Sequence, residues 1–342
     1  MNLSVSIIIP THNRHNYLTR ILNYYLETDI QILVVDSSVF SFKYDNVKNN
    51  KSQLQYFHLP NKSLTSKISF ALDRVTTPFI VMCADDDFII PAALIECVDF
   101  LIKNSSYSAA IGNAIYYKKE PQNNNVDFFA FYTDRLSFST SNEDPIKRLH
   151  SFFNLYRTVF YALHRTMVLK KAFEGADKVI NNLFLNEYIT AIYPLTTGHF
   201  IELPILYHVR EYSLNSGDKI IESIDAVFYN EDFKTEFDRF IIYHAKLVAQ
   251  HINKPIDDTA DSLRTILMQF SKNIYKLKHN TKERIDKKIG KLISLIPFLG
   301  SRLITTYRKS KSSKALASFV RSQEAKKQLA TIKGFILKYK ID

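Results

Sequence analysis

Tryptophan is absent from this 342-residue chain, glycine occurs only seven times and cysteine twice. A composition so poor in glycine does not describe a flexible linker or a low-complexity segment. It also leaves no glycine-rich phosphate cradle: neither GxxxxGK[ST] nor GxGxxG occurs. Cys83 and Cys97 form no CxxC pair and no metal spacing, which points to a reducing compartment. The ten histidines are scattered without zinc-ligand spacing, HExxH and GxSxG are missing, and no repeat recurs at solenoid periods. No apolar run reaches the ~18–20 residues needed to cross a bilayer. The opening "MNLSVSIIIPTHNR" enters an apolar run without a basic leader or a small-residue cleavage site. These absences lead to the expectation of a cytoplasmic protein, at most peripheral on the cytoplasmic face of a membrane.

What is present is apolar and aromatic. Hydrophobic residues make up 46% of the chain, with 20 Tyr and 25 Phe, ample for a sizeable core. The net charge of +11 is unevenly placed. Residues 270–340 hold 19 Lys/Arg against only Glu283, Asp286 and Glu324, so the rest of the chain is mildly acidic.

Along the chain, "VSIIIP" (5–10), "IQILVVDSS" (30–38), "LQYFHLP" (54–60), "PFIVMCA" (78–84) and "YSAAIGNAIYY" (107–117) read as strands. Between them, "NYLTRILNYYL" (16–26), "LTSKISFALDRV" (64–75) and "PAALIECVDFLI" (91–102) carry helical periodicity. Alternation of this kind predicts a parallel sheet with helices on its faces, and ligands in such sheets bind beyond the carboxyl ends of the strands. Thr11–Arg14, Asp36–Ser38 and Asp85–Asp87 all fall at such ends. Three adjacent aspartates repel one another, and more than a helix N-terminus can use is present before "PAALIECV". A hard divalent cation, bound through one or two carboxylates and substrate phosphates, would relieve that repulsion.

Taken together, "VSIIIPTHNR", "ILVVDSS" and "FIVMCADDDFIIPAAL" resemble the nucleotide-sugar domain of GT-A fold glycosyltransferases, close to the family-2-like inverting group, with "ADDDF" at its acidic DxD-type motif. The likeness covers residues 3–120 well and 120–220 loosely. It implies an α/β, Rossmann-like, mostly parallel sheet with helices on both faces, followed by an α-helical C-terminal region. The implied division is a catalytic domain over 1–235 (1–120 for the nucleotide sugar, 121–235 for the acceptor) and a basic helical region over 236–342. The implied partners are a nucleotide-diphosphate sugar, Mn²⁺ or Mg²⁺, and a glycan or lipid-linked acceptor.

Carried onto this sequence, the resemblance places Thr11, Asn13 and Arg14 beside base and diphosphate, and Asp36 on the nucleoside base. It places Lys67 near the nucleotide, although the usual glycine-rich stretch is missing. Asp85 would face ribose or metal, Asp87 is the favoured metal ligand, and Asp86 stays open because the alignment can shift by one place. Plainer readings compete: Asp36 as a turn cap, and Arg14 and Lys67 as solvated surface residues. In related enzymes the general base opens a helix in the second half of the fold. "NNLFLNEYITAIYPLTTG" (181–198) offers Glu187 for that role, with Asp177 and Glu174 as weaker candidates. "LPILYHVRE" (203–211) ends in His208, a candidate metal ligand, and Arg210, a candidate diphosphate or acceptor contact. Arg157 lies in "YRTVFYALHRT" (156–166), which reads as an amphipathic helix.

The tail from about 236 reads as basic amphipathic helices with "LISLIPFL" as the greasiest stretch. Such helices suit an anionic membrane surface; a bundle packed on the catalytic domain or a homo-oligomer interface would use the same pattern. No nucleic-acid module accompanies the charge, so nucleic acid is not an expected partner. Two other functions are compatible with the sheet: a sugar-nucleotide pyrophosphorylase, whose glycine-rich loop is missing from "PTHNRHN", and a non-catalytic membrane-associated scaffold.

Overall fold

A computed structural model describes residues 4–43, 52–120, 125–130, 138–212, 224–293 and 316–339, with the backbone alone for Glu120 and 277–293. The chain opens on strand β1 (Val5–Thr11), helix α1 (His15–Tyr25) and strand β2 (Gln31–Asp36). Ile7, Ile8, Ile9, Val34 and Val35 have no exposed surface, as apolar runs covered on both sheet faces require. Strand β3 (Leu54–His58), helix α2 (Leu64–Leu72), strand β4 (Phe79–Met82), the short strand β5 (Phe88–Ile89) and helix α3 (Pro91–Lys103) follow. β1 lies between β2 and β4 and parallel to both, with Thr11 opposite Asp36 and Ile8 opposite Met82. The loops carrying Thr11–Arg14, Asp36–Ser38 and Asp85–Asp87 therefore leave one rim. Pro91 occupies the first turn of α3, where its missing N–H costs no helical bond. Ser63 caps α2 by accepting from the Ser66 N–H at 3.2 Å.

The second half comprises β6 (Tyr107–Glu120), β7 (Asn125–Phe129), β8 (Ser139–Thr140), α4 (Pro145–Asn154), β9 (Leu163–Arg165), α5 (Thr166–Phe173), α6 (Leu185–Thr197) and β10 (His199–Glu211). The sheet runs β3-β2-β1-β4-β9-β6-β10-β5, with β7 on β6 and β8 on β10. The β1–β2, β1–β4, β2–β3 and β6–β10 ladders are parallel, as expected; the antiparallel pairs span two residues each, apart from the five-residue β6–β7 ladder. β10 slips register against β6 between Leu203 and His208. Gly112 faces this irregularity, where a Cβ would come within 2.7 Å of the Ile205 carbonyl and the Tyr207 Cβ. A bulge of this kind re-aims the strand beyond it, and that strand end carries His208 and Arg210.

The helix expected over 156–166 does not form. Residues 156–162 are irregular, β9 follows, and α5 begins only at Thr166. Tertiary partners override the local period. Tyr156 packs among Phe153, Tyr188 and Phe270, whereas Tyr161 lies ring to ring with His208 at 4.1 Å.

Helices α7 (Glu231–Ile252), α8 (Ile256–Ile293) and α9 (Gln323–Lys338) form the helical C-terminal region. Phe237, Phe240, Leu267, Ile332 and Ile336 join the same buried cluster as the sheet residues. Phe270 lies 4.9 Å from the Tyr156 ring and Phe335 lies 5.4 Å from Tyr24. The buried faces of α7, of α8 up to Phe270 and of α9 thus pack on the sheet region, and the core runs without a break across residues 235 and 236. Most of "LISLIPFL" (292–299) lies outside the described residues. Among those described, no helix is long and apolar enough to cross a membrane.

Candidate functional site

Beyond the carboxyl ends of β1, β2 and β4 opens a cavity of about 970 Å³. Six of the residues expected at a site meet on its wall: Thr11, Arg14, Lys67, Asp85, Glu187 and Arg210. They come from strand ends, loops and the first turns of helices, spread across two hundred residues of sequence.

On the strand-end side, the Thr11 hydroxyl donates to Asp85 Oδ2 at 2.6 Å. Arg14 forks over two carboxylates, with Nη1 2.9 Å from Asp85 Oδ1 and Nη2 2.7 Å from Asp86 Oδ2. Its guanidinium also lies 4.1 Å over the Tyr17 ring. Burial disfavours the Arg14 cation, but Asp86 and Asp85 more than offset it and hold its pKa above the ordinary value. Burial raises the Asp85 carboxyl. Burial, then repulsion from Asp87 and Asp85, pushes Asp86 up to about 7. Lys67 is buried and donates to the Thr11 carbonyl at 2.7 Å and to Ser37 Oγ at 2.9 Å, tying the ends of β1 and β2 together. Burial lowers its pKa to about 8 against the opposing pull of Asp36 and Asp85.

Asp87 faces the other way. Its Oδ1 accepts the Glu211 N–H at 2.8 Å; its Oδ2 accepts from Arg210 Nε at 3.3 Å and lies 3.6 Å from His208 Nε2. Burial would raise this carboxyl, but His208 and Arg210 bring it down to about 2. His208 is buried, its pKa lowered by desolvation, and its Nε2 has no hydrogen-bond partner. Behind the turn, buried Arg20 donates to the Asp86 carbonyl at 2.9 Å and reaches Glu211 at 3.3 Å. Glu211 also accepts from Tyr17 at 3.2 Å and from Tyr117. The acidic turn is therefore held from behind by a guanidinium and two phenols.

Two further candidates shape the rim without lining the cavity. Asp36 is fully buried and accepts from the Ser38 N–H and Tyr56 hydroxyl, each at 2.8 Å, from the Ser38 hydroxyl, and from His15 at 3.1 Å. Burial pushes its pKa up, but these bonds outweigh it and the carboxyl stays below the ordinary range. Asn13 adopts φ 54°, donates its N–H to Ser38 Oγ at 2.7 Å and accepts the Val39 N–H at 3.2 Å. Both fix the Ser37–Val39 loop.

Across the cavity, Glu187 lies in the first turn of α6. Its Oε1 accepts from Thr158 at 2.8 Å and from the Tyr156 hydroxyl. Glu174 and Asp177 line a separate cavity of about 610 Å³ with α2 residues Ser66 and Ser69, and Glu174 is paired with Lys171. Arg157 lines a small cavity of about 130 Å³ beside His208, with its Nε 3.2 Å from Glu202. Tyr156, Thr158 and Tyr161 escaped the sequence reading because they sit in the segment misread as a helix. His12 and Asn61–Ser63, also on the wall, are loop residues without periodic signal.

Among the described residues, no three of His, Cys, Asp and Glu converge as a ready metal cage. Mg²⁺ or Mn²⁺ completed by donor phosphates needs only one or two carboxylates. Asp85, facing the cavity with Asp86 adjacent, meets that need. Asp87 and His208 do not line this cavity and are engaged with Arg210, Glu211 and Tyr161.

The sequence profile of Glycosyl transferase family 2 matches residues 6–175, from β1 through α5 and so all three strand-end loops of the rim. The chain carries a family 2 glycosyl transferase domain. Similar solved structures include the S. aureus TarS fragment 1–349, at 15% identity over 99% of this chain and 94% of that one, TM-score 0.49. The same fragment with UDP-GlcNAc is similar at 14% identity over 73% of this chain and 72% of that one, TM-score 0.48. Against longer S. aureus TarS the identity is 16%, the TM-score 0.47, and the match spans 78% of this chain but only 43% of the TarS chain. No curated protein matches the sequence. The family 2 assignment sets aside the pyrophosphorylase reading and identifies the sheet with its helices as a GT-A fold.

Proposed function

We propose that the protein transfers a sugar from a nucleotide-diphosphate donor to the hydroxyl of a glycan or lipid-linked acceptor, with inversion and with the help of a divalent cation. The observation that carries this reading is the single cavity in which Glu187 shares the wall with Arg14, Lys67, Asp85 and Arg210. Three cationic side chains suit a diphosphate leaving group, and a carboxylate apart from them suits proton removal from an acceptor. Thr158 and Tyr156 fix Glu187 through Oε1. In the proposed step the acceptor oxygen bonds to the anomeric carbon as the bond to the diphosphate oxygen breaks. The acceptor proton passes to Glu187, and the diphosphate leaves against Arg14, Arg210 and Lys67. A cation bound at Asp85 would add Lewis-acid neutralisation of the diphosphate charge.

The test is Glu187→Gln, assayed with a panel of UDP-, GDP- and dTDP-sugars and Mn²⁺. Turnover should fall by about 10²–10⁴ while nucleoside diphosphate affinity, measured by calorimetry, stays unchanged. Near-normal turnover would remove Glu187 as the base. Nucleotide binding without any turnover in the wild type would favour the scaffold alternative.

Membrane attachment through the basic C-terminal region belongs to the same proposal, since surface lysines and arginines contribute roughly 1 kcal/mol each at an anionic bilayer. Cosedimentation with phosphatidylserine vesicles should occur at low salt and fade at high salt. No cosedimentation at low salt would leave the tail a purely structural element.

A further inference from the structure

Arg14 is placed where two carboxylate oxygens of the acidic turn meet its charge. Asp85 Oδ1 and Asp86 Oδ2 both point at it, at 2.9 and 2.7 Å. The remaining oxygen of Asp85 is taken by Thr11, and both oxygens of Asp87 are taken on the far side. On the cavity-lining Asp85, the oxygen left for a cation beside the one Thr11 holds is thus the one the guanidinium now occupies. Arg14 is also 38% exposed in its side chain, whereas Asp85 is 3% exposed. The arginine can swing outward; the carboxylate cannot follow.

We propose that Arg14 is an internal counter-cation that holds the metal's place until the donor arrives. In the nucleotide-free protein it competes with a divalent cation for Asp85 and Asp86. A diphosphate attracts the same planar fork bidentately, draws Arg14 off the carboxylates and exposes them to the cation. Donor and cation then bind as a coupled pair, and a cation without its donor binds weakly. This inference rests on the reading of the cavity as a donor site, but its test needs no donor.

The experiment titrates Mn²⁺ alone into nucleotide-free protein and follows the free-ion paramagnetic resonance signal. Arg14→Gln removes the competing charge and should tighten Mn²⁺ binding by about tenfold or more, as expected when a like charge within contact distance is deleted. Arg14→Lys keeps a point charge that cannot span both carboxylates and should give a smaller gain. Adding Asp85→Asn to Arg14→Gln should return binding to the weak wild-type level. If Arg14→Gln and Arg14→Lys both bind Mn²⁺ as weakly as the wild type, the proposal is overturned. It is equally overturned if the gain survives Asp85→Asn, because the ion would then sit elsewhere. Failure of the donor reading would look different: no nucleoside diphosphate bound by the wild type, with the Arg14→Gln gain intact and Arg14 kept as the counter-cation.

Discussion

Asp85 and Asp87 lie two residues apart and are equally buried, at 2% exposure each, yet they meet different company. Asp85 looks into the cavity and shares a partly exposed arginine with Asp86. Asp87 looks into the protein and is bonded by a main-chain N–H and Arg210, with His208 at its back. The surroundings move their carboxyls in opposite directions, Asp85 above and Asp87 below the ordinary value. One acid is thus poised for exchange of partners and the other for permanence. Neighbouring carboxylates in one turn can carry distinct roles when their environments drive them apart.

The largest effect that would break this comparison is on stability. Asp87→Asn leaves the Glu211 N–H and the partly exposed Arg210 beside a neutral group and should cost about 2–3 kcal/mol of unfolding free energy. Asp85→Asn should cost only about 1 kcal/mol, because Asp86 still pairs with Arg14, but it should weaken nucleoside diphosphate binding in Mn²⁺. Equal losses of stability in urea melts would show that the two acids are not different in kind.

A middle-sized effect is expected in the pH dependence of stability. The folded-state pKa of Asp87, about 2, lies below the ordinary carboxyl value of 3.8. Its stabilisation is complete above about pH 4 and is lost as pH falls toward 2. The stability gap between wild type and Asp87→Asn should shrink over that window. Asp86 runs the other way: with a folded-state pKa of about 7, it withdraws stability as pH rises from about 4 to 7. Asp86→Asn should therefore gain on the wild type across that range, and thermal melts at pH 4, 5.5 and 7 would show it.

The smallest effect concerns Lys67, which carries its charge only below about pH 8. Nucleoside diphosphate affinity should decline a few-fold as pH rises from 7 to 9, and Lys67→Arg should flatten the decline. An affinity independent of pH in the wild type would mean that Lys67 braces Thr11 and Ser37 without serving the donor.

Much of this architecture was legible before any coordinates. The centres of the runs at Val5–Thr11, Gln31–Asp36 and Phe79–Met82 are apolar because both sheet faces are covered, and that pointed to a parallel sheet with its loops on one rim. The helix that Glu187 opens was legible from its apolar period, and the choice of Glu187 as the base was what the family resemblance implied. Direction within "DDD" was not legible. Consecutive residues of a turn point to different sides, so a shift of one or two places exchanges a cavity wall for an inward contact, which is the difference between Asp85 and Asp87. Nor was the segment 156–166 legible. Its aromatic spacing suits a helix, and only the crossing of α6, α8 and β10 decides that Tyr156, Thr158 and Tyr161 answer to three separate neighbours.

Helix α8 begins among core residues such as Leu263, Leu267 and Phe270 and runs on as a single helix to Ile293. At 1.5 Å per residue, the stretch after Lys276 alone measures roughly 25 Å. Inserting or deleting one turn beyond Lys276 would change the length of this helix by about 5 Å and leave the packing of Leu263, Leu267 and Phe270 untouched.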